Sequence, residues 1–340
     1  MTINKTPVVI PFPKKSDSPN DTPTDTPPIV PDRVQWRSMI YGKSGTGKSS
    51  QIAEYCRQMW KQRRARTRYI TFDSGGISAF QAMRDAKVAE VIIGAELLAR
   101  FDPVKHESIV RAIFQGAWPS FNGAKIDWVR PDSGDILVIE GLDGVCSAIE
   151  KAWIATNQKI GQDTVGRYEV TDLLTGKTES GGKMSMAHFG ALQTLLKTVL
   201  LPSIAALPYE DVFLTSHESS GTDADEGTPG GVVYGPSSVG KALTSKIAAL
   251  VPVLLRTDLV IRKNVPDEYR CYFTQHRDPN RENTMGADYP ANHRLPMHLL
   301  EEFDKQFPGN YFKMTRAGEL AQFIQTWKGL QRQAAADLLN

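Results

Sequence analysis

With 340 residues, 41% of them hydrophobic and 23% charged, the chain is long and apolar enough to bury a large core. Its net charge of +2 excludes a uniformly basic nucleic-acid binder, so any basic surface must be local. The three cysteines, Cys56, Cys146 and Cys271, lie far apart without a C-x-x-C pair, which argues for core thiols in a reducing compartment.

The chain opens on a Pro-, Thr-, Asp- and Ser-rich stretch, residues 1–33, that offers too few apolar side chains to offset its ordering entropy. A disordered arm is expected there, either a plain linker or, through Val8 to Phe12, a docking segment for a protein partner. No secretory leader pattern precedes it, and no apolar run reaches membrane-spanning length, so a cytoplasmic protein is expected.

Trp36 to Tyr41 reads as a strand, and Ser50 to Arg64 repeats apolar residues at helical spacing. Between them, Gly42, Lys43, Ser44, Gly45, Thr46, Gly47, Lys48 and Ser49 fill the pattern G-x-x-x-x-G-K-[ST]. The glycines let successive backbone N–H groups turn inward on phosphate oxygens. Lys48 is placed to reach the β- and γ-phosphates, Ser49 to ligate magnesium, and Ser50 to continue the cradle into the helix N-terminus. ATP and Mg²⁺ are the expected ligands.

The cluster Lys61 to Arg68 is the most basic in the chain. It suits either phosphate contacts or a solvated helix end, where cations favour the dipole. Tyr69 to Asp73 is a strand ending in an acid, followed by Ser74-Gly75-Gly76, and a further short strand is expected over 88–93. Asp73 thereby falls at a strand's carboxyl end, where α/β sheets bind ligands. An amphipathic helix is expected over His106 to Trp118. Asp135 to Glu140 is a continuous apolar strand ending in a carboxylate, which suits delivery of an acid to the metal. Glu140 is the candidate second magnesium group, with Asp143 as the alternative.

Residues 155–187 are glycine-rich and aperiodic, and are expected to be a long insertion. A helix follows from Met186 to about Ala206, then a core strand, Asp211 to Ser216, ending in His217-Glu218. His217 at that edge is a candidate contact for the γ-phosphate. Residues 219–238 suggest a second long loop, Gly240-Lys241 opens a helix to about Val251, and a hairpin turning at Pro266-Asp267-Glu268 is expected between Leu259 to Arg262 and Tyr269 to Thr274. Residues 275–295 read as a polar loop. Leu299 to Phe307 and Ala317 to Leu339 are helical, in a C-terminal extension over 296–340.

Over about residues 34–295 the chain resembles the phage RecA-like ATPases of the single-strand annealing (Sak-type) group, within the RecA-fold class of P-loop proteins. The resemblance rests on Gly42 to Ser49, Asp73 to Gly76, Asp135 to Glu140, Thr215 to Glu218, Gly240-Lys241 and the hairpin. It implies an α/β RecA-like core with a mostly parallel sheet, an ATPase acting on single-stranded DNA, and a homo-oligomer with Lys241, Arg262 or Arg277 as the cation lent to a neighbour. It also makes Tyr168, Lys177, Lys183 and Tyr234 candidate DNA contacts. Relatives usually carry a Glu directly before the Gly-Gly, where this chain has Asp73-Ser74, and an Asp where it has Glu140. Nucleotide binding is therefore better supported than turnover.

Overall fold

The computed structural model describes residues 34–94, 135–155, 159–160, 162–164, 166–171, 178–202, 206, 209–222, 232–238, 247–262, 265–274, 276–277, 288–289, 291–314 and 318–337. The N-terminal arm, the helix expected over 106–118, and Lys177 and Lys241 lie outside these residues.

In chain order the elements are β1 Trp36–Gly42, α1 Lys48–Arg63, β2 Thr67–Thr71, α2 Ile77–Asp85, β3 Ala89–Ile93, β4 Ile136–Glu140 and α3 Leu142–Ala155. They continue as β5 Gly166–Thr171, β6 Thr178–Lys183, α4 Met186–Leu195, β7 Asp211–Thr222, β8 Val232–Pro236, β9 Val253–Arg262 and β10 Val265–Tyr272. The chain closes with β11 His276–Arg277, β12 Asp288–Tyr289, α5 Met297–Gln306, β13 Tyr311–Lys313 and α6 Glu319–Asp337.

The main sheet runs β3-β2-β4-β7-β1-β9-β10-β13, parallel from β3 through β9 and antiparallel at β9-β10 and β10-β13. This is the α/β architecture with a mostly parallel sheet that the alternation of apolar strands and helices implies. Side-chain alternation divides the core. Ile136, Val138, Ile40 and Phe213 face the layer of α1, α2, α5 and α6, whereas Leu137, Ile139, Met39 and Leu214 face α3 and α4. Both faces of the central strands are covered, which is why they read as unbroken apolar runs.

Several segments differ from their sequence expectation. Residues 155–187 contain an antiparallel hairpin, with Gly166 opposite Lys183 and Thr171 opposite Thr178. Its glycine-rich β6, Thr-Glu-Ser-Gly-Gly-Lys, carries no apolar period and is held by backbone pairing. Strand β7 does not stop at Ser216 but runs to Thr222 and folds back on β8, so part of the expected 219–238 loop is a second hairpin. Of the helix expected over 240–251, the described residues hold a 3-10 turn, Ile247–Ala249, and β9 begins as early as Val253. The β9-β10 turn falls between Arg262 and Val265, while Pro266 sits at a bulge inside β10, where a missing N–H costs no ladder bond. Within 275–295, β11 and β12 add short strands.

The C-terminal segment is part of the core. Phe312 on β13 lies opposite Cys271, and Phe273, Phe303, Phe307, Phe312 and Phe323 share ring contacts 4.9–6.4 Å between centroids. Trp327 on α6 meets Trp36 edge-on at 5.0 Å. Polar links reinforce this. Fully buried Asp211 accepts from Tyr55 Oη at 2.6 Å, from Arg63 Nη2 at 2.7 Å and from Lys328 Nζ.

Candidate functional site

The parallel strands deliver their carboxyl ends to one cleft of about 910 Å³. Gly42 at the end of β1 lies opposite His217 of β7, and Thr71 at the end of β2 opposite Glu140 of β4. Lys48, Ser49, Ser50, Asp73, Glu140 and His217 all line this cleft, together with Ser44 to Gly47. Gly42 and Lys43 lie behind this lining, their carbonyls accepting from the Lys48 ammonium.

The loop between β1 and α1 curls into a cradle around the start of α1. Gly45 and Gly47 take φ of +77° and +85°, left-handed values that a side chain would strain, and Gly47 is the N-cap of α1. Lys48 bridges the loop, donating from Nζ to Gly42 O at 2.9 Å and Lys43 O at 2.8 Å. Burial lowers the pKa of its ammonium, while the carboxylates of Glu140, Asp143, Asp73 and Glu218 act in the opposite sense. Thr46 braces the cradle from beneath, with its Oγ1 2.8 Å from Lys43 O and 2.7 Å from Thr257 Oγ1 on β9.

Glu140 is the buried centre of the site. Ser49 donates to its Oε1 and Tyr69, from β2, to its Oε2. Burial raises its pKa, against the hydrogen bond from Ser49 and the charge of Lys48. The second glycine after Asp73 now has a steric reason. A Cβ on Gly76 would fall well inside contact distance of Glu140 Oε2 and Tyr69 Oη. The longer acid at the end of β4 and the bare backbone after β2 are therefore one arrangement.

Asp73 caps the 3-10 turn Ser74–Gly76, its Oδ1 accepting from Gly75 N at 2.9 Å, and its Oδ2 lies 3.4 Å from His217 Nε2. Each Asp73 oxygen thus has one protein partner, and the side chain remains 39% exposed to the cleft. Glu218, the next acid along β7, is buried and held by Arg256 Nε at 2.8 Å. The end of the β7-β8 hairpin is pinned beside His217, whose carbonyl accepts from Ser237 N at 2.6 Å.

Magnesium fits the oxygens present. Hard cations of this kind take one or two carboxylates, water and substrate phosphates. The Ser49 hydroxyl and Glu140 carboxylate already meet, and Asp143 Oδ1 is a buried oxygen without a hydrogen-bond partner among the described residues. Among those residues no group of three or more His, Cys, Asp or Glu side chains forms a self-sufficient metal centre.

The basic run Lys61 to Arg68 lies at the opposite end of the strands from this cleft. Arg63 pairs with Glu210 and Asp211, Arg66 with Asp135 at 3.0 Å, and Arg68 with Glu90 at 3.1 Å and Tyr209 Oη at 2.9 Å. These arginines bind the strand starts together, a role that neither sequence alternative had assigned. Of the candidate DNA contacts, Lys183 is exposed on β6 and Tyr234 half-buried on β8, while the side chain of Tyr168, like those of the candidate lent cations Arg262 and Arg277, lies outside the described residues.

The far wall of the cleft had no sequence signal. Pro266 to Tyr269 of β10, with Lys313 and Met314 at the end of β13, face the phosphate loop. Tyr69 was likewise missed as a partner of Glu140, although its place two residues before the end of Tyr69-Ile70-Thr71 put it on one face of the sheet.

No protein-family model and no curated protein matches the sequence. Among solved structures, the chain is similar to a KaiC-like protein from Pyrococcus horikoshii, at 9% identity and a TM-score of 0.36, covering 69% of this chain and 76% of that one. It is also similar to the flagellar accessory protein FlaH from Methanocaldococcus jannaschii, at 11% identity and a TM-score of 0.34, with coverage of 69% and 76%. Among the described residues no helix is long and apolar enough to cross a membrane.

Proposed function

We propose that the chain is a RecA-like P-loop ATPase that binds Mg²⁺·ATP and acts on single-stranded DNA. The observation that carries the nucleotide half is the meeting of Lys48, Ser49 and Glu140 at the mouth of a glycine cradle ending on a helix N-terminus. In this reading the loop N–H groups and Lys48 hold and orient the phosphates, and Ser49 and Glu140, with Asp143 nearby, hold the magnesium ion. When bound, that ion neutralises charge between the phosphates. In the same reading His217, on the strand beside the loop, contacts the terminal phosphate. The β7-β8 hairpin starts directly after it, so in this reading a change at His217 is passed along β7 to the strand that carries Tyr234. A contact with single-stranded DNA there, and assembly into a homo-oligomer that lends a cation to the next site, complete the proposal.

A second reading is a nucleotide-gated scaffold with slow or absent hydrolysis, whose protein partner docks on the N-terminal arm. One observation favours it: Asp73 accepts from Gly75 N–H and lies 3.4 Å from His217, and Glu218 is buried against Arg256, so both acids on this edge already hold protein partners.

Steady-state ATP hydrolysis with and without single-stranded DNA, on wild type, Lys48→Ala and Glu140→Gln, separates the two. Turnover that DNA stimulates and both substitutions abolish supports the ATPase. Nucleotide binding without turnover, and without retention of a single strand at low salt, supports the scaffold.

A further inference from the structure

We propose that the β10-β13 wall is the nucleobase end of the cleft and that Tyr269 supplies its stacking face. The proposal rests on the triphosphate reading of the loop and adds where the rest of the nucleotide lies.

Alternation along β10 places Tyr269 on the same face as Cys271, with Phe273 following beyond the strand. Cys271 and Phe273 are 1% and 0% exposed, sealed in the aromatic core, whereas Tyr269 is 38% exposed and opens on the cleft. An aromatic ring left open in a concave polar site lacks the partner that would bury its face. Its position is specific. Tyr269 Cδ1 lies 3.7 Å from where a Cβ on Gly47 would be, directly beside the α1 N-terminus that receives the phosphates. A nucleoside extending from that cradle along this side meets the Tyr269 ring.

The wall is also held in place. Tyr269 O accepts from Met314 N at 2.8 Å, so the Tyr269 backbone is tied to the strand end that Phe312 anchors in the core. On the rim of the same cleft Glu268 is held by Lys313 at 3.3 Å and by Arg270 Nε at 2.6 Å, which fixes the strand on either side of Tyr269. The ligand class is therefore a nucleoside triphosphate whose base adds affinity through its π-face.

The test compares Mg²⁺·ATP with Mg²⁺·tripolyphosphate, by calorimetric titration on full-length wild type, Tyr269→Ala and Tyr269→Phe. Stacking of a base on an aromatic side chain predicts that Tyr269→Ala weakens ATP by about 5- to 150-fold. Tripolyphosphate binding should be unchanged in that variant, and Tyr269→Phe should bind ATP like the wild type. Equal losses for both ligands, or no loss for ATP, would overturn the proposal. So would a wild type that binds the two ligands equally well. A wild type that binds neither would remove the triphosphate reading, and this inference with it.

Discussion

Gly76→Ala isolates the packing around Glu140 in the cleft. Gly76 has φ −75° and ψ −21°, a right-handed conformation that alanine adopts freely, so the backbone charges nothing for the substitution. The whole cost is the new methyl group, which would overlap Glu140 Oε2 and Tyr69 Oη. Overpacking a filled site costs about 1–3 kcal/mol. If Glu140 swings out instead, it gives up hydrogen bonds from Tyr69 and Ser49, each worth about 1.5–3 kcal/mol to a charged acceptor. A loss of roughly 2–4 kcal/mol in urea unfolding is expected, a large part of a typical domain's stability. Glu140→Asp shortens the acid by one methylene and opens the space. In that background Gly76→Ala should cost at least about 1 kcal/mol less, a coupling well above the non-additivity of independent sites. A neutral Gly76→Ala, or the same cost in both backgrounds, would refute the steric link between Gly76 and Glu140.

Three further outcomes follow from the buried groups. Burial raises the folded pKa of Glu140 above 4.5, so its stabilising share is complete below that value and is lost as pH rises through the folded one. Glu140→Gln removes this loss, and the decline in the nucleotide-free protein's urea midpoint from about pH 4.5 toward neutrality should be shallower in the variant. Asp211→Ala takes the fully buried carboxylate from Tyr55, Arg63 and Lys328, leaving the two cations on Glu210, and should cost about 1.5–3 kcal/mol in the same assay; no measurable loss would show that Asp211 does not hold α6 to the core. All three cysteines are buried, with the thiols of Cys56 and Cys146 pushed up to about 12 and that of Cys271 also raised, so a thiol reagent should label none in the native protein and all three after denaturation.

What the sequence made legible was what is contiguous in it. Gly42 to Ser49 forms its cradle from neighbouring backbone, so eight consecutive residues specify the geometry. Glu140 was legible because a parallel strand buried on both faces reads as an apolar run, and its last residue must emerge at the ligand edge. The far wall was not legible, because Tyr269 and Met314 reach the loop only through the order of β9, β10 and β13 in the sheet, which local propensity does not encode. Pro266 misled for a related reason: proline marks turns, but a bulge accommodates it inside β10. The Arg63 to Arg68 run read as surface charge since its carboxylates, Asp135, Glu210, Asp211 and Glu90, are brought to it by the strand starts. The glycine-rich β6 and the polar end of β7 gave no period, because backbone pairing in a hairpin asks little of side chains.

The central claim is that the cleft above Gly42 to Ser49 holds a magnesium nucleoside triphosphate with Lys48 on its phosphates. Calorimetric titration of ATP with and without Mg²⁺, into wild type and Lys48→Ala, tests it most directly. Saturable binding that strengthens with Mg²⁺ and weakens about tenfold or more in Lys48→Ala is the predicted result, from the loss of charge-assisted hydrogen bonds to phosphate. No binding by the wild type, or equal affinity in the variant, would contradict it.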